Sequence, residues 1–101
     1  MECQGEEGVP PVVVLIHGGG MDRRAWAHVI ARLPRDVEVV APDLPGHGSA
    51  RAISYRADVV GDLAEHVIGS LDVGISKPVV VGHSLGAAVA LAIAQRIPVA
   101  R

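Results

Sequence analysis

Ser84 is the residue best suited to covalent chemistry, because it stands at the centre of the pentapeptide Gly82–Gly86, Gly-His-Ser-Leu-Gly. An apolar run, Pro78–Val81, precedes the pentapeptide, and a segment rich in Ala, Leu and Val follows it. In a strand-turn-helix setting, Gly-x-Ser-x-Gly predicts a nucleophile elbow, a sharp turn that exposes the serine hydroxyl. The two glycines leave room where a Cβ would collide with neighbouring backbone. We therefore predict that Ser84 is a nucleophile.

Two backbone segments are candidates for stabilising an oxyanion formed at Ser84. The N–H of Leu85 is expected at the N-terminus of the following helix, where donors are unpaired and the helix dipole favours negative charge. The segment His17–Gly20, His-Gly-Gly-Gly, also follows an apolar run. Its glycines let the backbone approach a ligand closely, so one of its N–H groups is a candidate second donor.

Each of these motifs has a plainer interpretation. Ser84 could be an ordinary helix N-cap flanked by two turn glycines, and His17–Gly20 could be a simple strand-to-helix turn. A phosphate-binding loop is disfavoured, because Gly18–Arg23 fails the Gly-x-Gly-x-x-Gly pattern at its last position. The chain also has no Gly-Lys-Ser/Thr loop. The strand expected before each motif and the helix expected after it favour the catalytic interpretation.

A serine nucleophile needs a base and a group that orients the base. No Asp, Glu or His follows Ser84 in the chain. Among the earlier residues, His83 should project away from the serine, and His47 lies in a loop that could reach the mouth of the pocket. Asp43 heads that loop and is expected to fix its turn. We therefore expect no complete triad within these residues.

The remaining histidines are expected to have structural or solvated roles. His17 ends a strand and should stabilise local backbone, whereas His28 and His66 fall on helices and should face solvent. These histidines have no paired ligand spacing, so no metal site is expected. No other cofactor is implied.

The elements that must position these residues alternate between strand and helix. The β-branched run Val12–Ile16 shows no alternation, which is typical of a strand covered on both faces. Asp22 is a plausible N-cap for a first helix whose apolar stripe is Trp26, Val29, Ile30 and Leu33, and Pro34 ends that helix. The other predicted elements are a strand over 37–41, a helix over about 55–71, a strand over 78–81 and a helix from Ser84 to about Arg96.

The order β-α-β-α-β-α predicts an α/β fold with a parallel sheet and right-handed crossovers. Residues 1–11 are interpreted as a polar tail and residues 12–101 as one domain.

The last helix carries no polar residue from Leu85 to Ala94. A helix of this kind is normally buried all round, but nothing in the chain is available to cover its outer face. A three-stranded sheet also leaves two open edges. We therefore expect further protein beyond Arg101.

Composition limits the classes of partner and compartment. Hydrophobic residues make up 50% of the 101 residues, which excludes disorder, and the net charge of −2 offers no basic footprint for nucleic acid. The N-terminus has neither the basic start nor the apolar stretch of a secretory signal, and no apolar run is long enough to span a membrane. Cys3 is the only cysteine, so no internal disulfide forms. A cytoplasmic protein that binds neither nucleic acid nor membrane is expected, and its oligomeric state is open.

Three segments together resemble the N-terminal half of an α/β-hydrolase. They are Val12–Gly20, Pro42–Ser49 (Pro-Asp-Leu-Pro-Gly-His-Gly-Ser) and Gly82–Ala88. The resemblance implies a partial α/β/α core with about three parallel strands and three helices, in which the first strand of this chain lies between the other two. It implies Ser84 as nucleophile and the N–H groups of Leu85 and Gly19 as the oxyanion hole, with Gly20 as the fallback for the second donor.

The resemblance implies a serine hydrolase that acts on a small-molecule ester or related acyl substrate. The family's catalytic acid and histidine follow the nucleophile in sequence, so this chain is expected to be an N-terminal fragment without turnover of its own. Two alternatives stay open. One is a non-catalytic binding module on the same scaffold, and the other is an acyltransferase or lyase, because a fold does not determine a function.

Overall fold

The structure is a computed structural model that describes residues 11–48, 60–71 and 77–100. Three strands and three α-helices alternate along these segments. Their bounds are β1 Val12–Ile16, α1 Ala27–Arg32, β2 Glu38–Val40, α2 Val60–Gly69, β3 Val79–Gly82 and α3 Leu85–Ala94, with a single 3₁₀ turn, Arg23–Trp26, leading into α1. The predicted N-terminal tail and the first part of the predicted second helix lie outside the described residues.

The three strands form one parallel sheet in the order β2-β1-β3. Val13 of β1 pairs with Val39 on one side and with Val79 on the other. This arrangement confirms the predicted parallel α/β core and the central position of the first strand. Because the strands are parallel, their carboxyl ends lie at one edge of the sheet, and the segments that leave Ile16, Val40 and Gly82 emerge there together.

The hydrophobic core lies between one face of this sheet and the helices α2 and α3. Val14 and Ile16, alternate residues of β1, are completely buried on that face. The core cluster consists of Val14, Ile16, Leu44, Leu63, Ala64, Val67, Val89, Ala92 and Ile93. Its members are aliphatic, as a chain with no Phe requires. The core therefore fixes α3, and with it the start of α3 at the sheet edge.

The 3₁₀ turn and α1 contribute no residue to this core. The predicted first helix exists, but it begins as a 3₁₀ turn, and neither part contains a buried residue. Val29 and Ile30, which belong to the predicted apolar stripe, are 42% and 37% exposed. Trp26 and Leu33 of the same stripe are partly buried, so only the part of the stripe formed by Val29 and Ile30 is left uncovered by the described residues.

Helix α3 is buried on one side only. Gly86, Val89, Ala92 and Ile93 are buried against the sheet and α2, whereas Leu91 is 68% exposed. The expectation that this apolar helix has an uncovered face is thus confirmed for the described residues. Within those same residues, no helix is long and apolar enough to cross a membrane.

Candidate active site

The turn between β3 and α3 has the geometry of a nucleophile elbow. Gly82 ends the strand and Leu85 begins the helix, so only two residues make the reversal. Ser84 occupies φ 58° and ψ −116°, a backbone conformation that L-residues rarely adopt. The N–H of Gly86 donates to the carbonyl of His83 at 2.9 Å, which closes the turn.

The two glycines of the motif are required by close backbone packing. A Cβ on Gly82 would fall on the carbonyl oxygen of Gly86, and a Cβ on Gly86 would fall on the carbonyl oxygen of Ile16. The second contact joins the start of α3 to the end of β1, so the glycines fix the turn against the neighbouring strand. Any larger residue at either position would push Ser84 away from β1.

The Ser84 hydroxyl is exposed and does not cap the helix. Its side chain makes no capping hydrogen bond, although the residue stands at the N-cap position of α3. No described imidazole or carboxylate lies within hydrogen-bonding distance of its Oγ. This arrangement argues against the plain N-cap interpretation, because a capping serine would direct its oxygen to a backbone N–H of the first turn.

The backbone N–H groups of Leu85 and Gly19 have no hydrogen-bond partner among the described residues. Leu85 is the first residue of α3, where an N–H has no carbonyl within the helix to receive it. Gly19 lies beside it, since a Cβ on Gly19 would stand 3.6 Å from Leu85 Cδ2. The structure thus brings the two residues of the predicted oxyanion hole together at the elbow.

The N–H of Gly20, the fallback for the second oxyanion donor, already makes a hydrogen bond within the protein. This N–H donates to Nε2 of His47 at 3.0 Å. The Gly20 φ of 77° lies in the left-handed region that favours glycine. His47, which was expected at the mouth of the pocket, therefore binds the backbone of the glycine turn. The one signal in the sequence that points to this contact is the position of His47 in a loop expected at the same edge of the sheet.

His17 is a buried structural residue, as predicted. It is completely buried, and its Nε2 accepts the N–H of Leu44 at 3.0 Å. Its Nδ1 lies 2.8 Å from the carbonyl oxygen of Gly18, so the ring proton must be on Nδ1. The ring joins the end of β1 to the loop after β2. Both ring nitrogens are occupied, so His17 is not the missing base.

Asp43 ties the loop after β2 to the 3₁₀ turn. Asp43 is buried, with 7% of the residue exposed, and its carboxylate accepts a hydrogen bond from the backbone N–H of Arg23 at 2.7 Å. A Cβ on Gly48 would stand 2.6 Å from Asp43 Cγ, so the same carboxylate packs against the far end of its own loop. The prediction that Asp43 fixes its turn missed the contact with Arg23, which lies 20 residues away in sequence.

His83 points away from the serine, as predicted, and lines a separate pocket. A Cβ on Gly18 would stand 3.1 Å from His83 Nδ1, so the ring lies behind the glycine turn. The pocket encloses about 200 Å³ and is also lined by Met21, Trp26 and Val29. Ser84 is not part of its lining. The indole N–H of Trp26 is buried without a described partner.

The other predicted polar residues lie away from the elbow. His28 and His66 are on α1 and α2, and neither contacts Ser84. Asp22 caps the 3₁₀ turn by accepting the N–H of Arg24 at 2.8 Å. The Arg24 side chain also donates to this carboxylate, which lowers the pKa of Asp22 from 3.8 to about 2 and raises the pKa of Arg24. No described group of three His, Cys, Asp or Glu side chains could hold a metal ion.

Comparison with known proteins gives a consistent assignment. Residues 13–101 match the alpha/beta hydrolase family. The chain is similar to the dihydrolipoyllysine-residue acetyltransferase component of the acetoin cleaving system of Pseudomonas putida (40% identity over 96% of this chain and 26% of that protein). It is also similar to the pimeloyl-[acyl-carrier protein] methyl ester esterase of Sodalis glossinidius (34% identity; 85% of this chain and 32% of the esterase).

A third similar protein is the (E)-2-((N-methylformamido)methylene)succinate hydrolase of Acinetobacter baylyi (37% identity; 80% of this chain and 31% of that protein). The chain thus spans between a quarter and a third of the length of these relatives. No solved structure matches it. The match to the family covers the elbow, the glycine turn and all three strands, and it agrees with the parallel sheet. This chain belongs to the alpha/beta hydrolase family.

Proposed function

We propose that this chain supplies the nucleophile and the oxyanion hole of a serine hydrolase that acts on an ester or a related acyl substrate. Ser84 is the nucleophile, and the N–H groups of Leu85 and Gly19 are the oxyanion donors. The observation that carries the proposal is the rare backbone conformation of Ser84 with its uncapped, exposed hydroxyl. A strained nucleophile beside unpaired N–H groups is the arrangement that acyl transfer requires.

The reaction proceeds in two steps. Ser84 Oγ loses its proton to a base and attacks the carbon of the acyl carbonyl group. The carbonyl oxygen becomes an oxyanion, which accepts hydrogen bonds from the N–H groups of Leu85 and Gly19. Collapse of this intermediate expels the alcohol, which takes the proton, and leaves the acyl group on Ser84. A water molecule then attacks the acyl-enzyme by the same route and releases the acid.

The described residues bring no base to Ser84 Oγ, and we assign the base and its orienting group to residues of a longer protein. His17 and His47 each use Nε2 to accept a backbone N–H, so neither lone pair is available. The relatives are three to four times longer than the span they share with this chain, which is consistent with a base contributed by further residues. As a prediction, the 101-residue chain alone does not turn over p-nitrophenyl acetate faster than its Ser84→Ala variant.

Acyl transfer to an acceptor other than water is the second candidate. The relative from Pseudomonas putida is named as an acetyltransferase component. Transfer uses the same nucleophile and the same oxyanion hole, and only the group that attacks the acyl-enzyme differs. Competition between water and added alcohols or thiols, measured on a form of the protein that turns over, would separate the two activities.

A covalent probe tests the proposal on the chain itself. The chain is incubated with a fluorophosphonate, with and without imidazole as an external base, and adducts are located by intact-mass and peptide mass spectrometry. We expect one adduct, on Ser84, whose rate of formation rises with imidazole concentration. Ser84→Ala should abolish it, whereas Ser70→Ala, a change in the serine that bonds the Val67 carbonyl at the end of α2, should not.

Two outcomes would contradict the proposal. One is an absence of any adduct on Ser84 in the presence of imidazole. The other is labelling spread over several hydroxyl groups at the same rate as on Ser84, because this would show that the elbow confers no special reactivity. Either result would favour the non-catalytic scaffold.

A further inference from the structure

We propose that His47 is a positioning residue that holds the glycine turn, His17–Gly20, in the conformation an oxyanion hole needs. The inference deepens the proposed function and rests on it for its catalytic part. It starts from one contact, the hydrogen bond of 3.0 Å from the Gly20 N–H to His47 Nε2. The two residues are 27 positions apart, and they leave neighbouring strands, β1 and β2, at the same edge of the sheet.

The contact matters because, beyond the bond between His17 Nδ1 and the Gly18 carbonyl, few local contacts fix the end of the turn. Gly18, Gly19 and Gly20 are consecutive glycines, which have the widest conformational freedom of any residue. One backbone hydrogen bond closes the turn, from the Met21 N–H to the Gly18 carbonyl at 3.1 Å. A Cβ on Gly20 would meet nothing within 4 Å, so the space on that side of the residue is open.

Holding the Gly20 N–H also fixes the orientation of Gly19. The Gly20 N–H and the Gly19 carbonyl belong to one planar peptide unit, so a hydrogen bond to the first sets the direction of the second. A flip of that peptide would require loss of the bond to His47 Nε2. The Gly19 N–H belongs to the preceding peptide unit, whose Gly18 carbonyl is held by His17 Nδ1 and by the Met21 N–H. The bond to His47 holds the peptide unit on the other side of the Gly19 Cα, so both peptide units that flank Gly19 are restrained beside Leu85.

His47 is itself held in place. Its Nδ1 lies 3.0 Å from the carbonyl oxygen of Pro45, and its backbone N–H donates to Leu44 at 2.9 Å. Its ring lies 5.1 Å from the ring of His17, which is completely buried. Because Nε2 accepts the Gly20 N–H, the ring proton must be on Nδ1, which donates it to Pro45. We call the hydrogen bond from the Gly20 N–H to His47 Nε2 the clamp. Because His47 is held by its own loop, the clamp restrains the exposed end of the glycine turn.

Two substitutions separate the two ring nitrogens of His47. Gln places an amide oxygen near the position of Nε2, so His47→Gln retains an acceptor for the Gly20 N–H. Asn reaches only as far as Nδ1, so His47→Asn retains a donor for the Pro45 carbonyl but has nothing to accept Gly20. Both variants lose the imidazole ring, but His47→Gln retains the contact with Gly20 and His47→Asn retains the contact with Pro45, so the comparison shows which of the two contacts holds the turn.

Nuclear magnetic resonance on the ¹⁵N-labelled 101-residue chain tests the clamp without any catalytic readout. In the unsubstituted chain we expect a scalar coupling between the Gly20 nitrogen and His47 Nε2 across the hydrogen bond. In His47→Asn we expect changed amide shifts and faster hydrogen exchange at Gly20, together with changed amide shifts at Gly19, while core amides such as Val14 keep theirs. In His47→Gln, the Gly19 amide should stay near its original position.

The rate of fluorophosphonate labelling at Ser84 in the presence of imidazole tests whether His47 supports the reactivity of the proposed oxyanion hole. We expect His47→Asn to label several-fold more slowly than the unsubstituted chain and His47→Gln to recover most of the rate. Absence of the coupling across the hydrogen bond overturns the clamp, whether or not the variants fold. Equal labelling rates for Asn and Gln overturn the positioning role. If the unsubstituted chain has the coupling but never labels, the clamp stands and the proposed hydrolase function is what fails.

Discussion

The two turns that meet at Ser84 are held by different means. The elbow, Gly82–Gly86, is fixed by backbone packed directly on backbone, because its glycines lie against the carbonyl oxygens of Gly86 and Ile16. The glycine turn, His17–Gly20, is fixed by side chains of another loop, with His47 as the contact nearest the candidate oxyanion donor. A turn of the first kind cannot accept larger residues, whereas a turn of the second kind depends on distant partners.

The difference predicts that substitutions in the elbow act on the whole fold and that substitutions in the glycine turn act locally. The elbow joins the end of β1 to the start of α3, which is part of the core. The glycine turn leaves the buried end of β1, but its last two residues, Gly19 and Gly20, are exposed at the sheet edge, so the local effects are expected at those two residues. Four substitutions test this contrast by their effect on the free energy of unfolding in urea.

Gly86→Ala should have the largest effect. Its Cβ would overlap the Ile16 carbonyl oxygen, and backbone on both sides must move to relieve the overlap. We expect a loss of about 3 kcal/mol or more in the free energy of unfolding. Gly69→Ala is the matched control, because a Cβ there meets nothing within 4 Å, and it should change stability by less than about 1 kcal/mol. Equal effects at the two sites would contradict the backbone-packing account of the elbow.

His17→Leu should come second. The substitution leaves the Leu44 N–H without its acceptor in a completely buried place, and an unpaired buried donor costs about 1–3 kcal/mol. The exposed His28 on α1 provides the comparison, since His28→Leu removes no side-chain hydrogen bond from the described structure. A His17→Leu variant as stable in urea as His28→Leu would show that the buried bridge between β1 and the loop contributes nothing.

Gly20→Ala should have a smaller effect, of about 1 kcal/mol, because space is free and only the φ of 77° opposes a side chain. Gly20→Asn should lose less than Gly20→Ala, since Asn adopts left-handed backbone more readily. The measurement is again the urea midpoint. A loss as large as that of Gly86→Ala would mean that the glycine turn is packed as tightly as the elbow, and the contrast between them would disappear.

Asp22→Asn should have the smallest effect and the clearest pH dependence. Asn can still cap the 3₁₀ turn, so the change removes only the ion pair with Arg24. The pKa of Asp22 is lowered from 3.8 to about 2, so the carboxylate stabilises the folded state fully above pH 3.8, and this contribution is lost as the pH falls to about 2. The stability difference between the two proteins should therefore shrink over that interval. A difference that grows on acidification would contradict the assignment.

The elements nearest the chemistry were the easiest to predict from sequence. The run Val12–Ile16 matches β1 at both ends, and Gly82–Gly86 gave the turn between β3 and α3. Both signals are local, since β-branched residues favour strands and the two glycines are required by contacts within a few ångströms. The stripe on the first helix also predicted an element correctly, although Val29 and Ile30 on that stripe are exposed. Periodicity shows which face is apolar and cannot show whether another element covers that face.

The side-chain contacts that hold the site were beyond prediction from the pattern alone. His17 to Leu44 and Gly20 to His47 are each separated by 27 residues, and they meet because the segment after β1 lies beside the segment after β2, an offset set by the pairing of the two strands. Knowing this offset requires the strand order and the path of the loop, and neither is a local property. The roles of Ser84, Leu85 and Gly19 as nucleophile and oxyanion donors stay predictions until the probe experiment is done.

The backbone angle of Ser84 has a consequence for any population of variants. A non-glycine residue held at φ 58° carries strain of about 1–3 kcal/mol, which Ser84→Gly would relieve in part. The variant that destroys the proposed chemistry would then be the more stable one. A library screened for yield or protease resistance should therefore become enriched in glycine at this position, and a library screened for acyl transfer should retain serine. The ratio of the two enrichments would measure the trade-off between stability and activity at this single position.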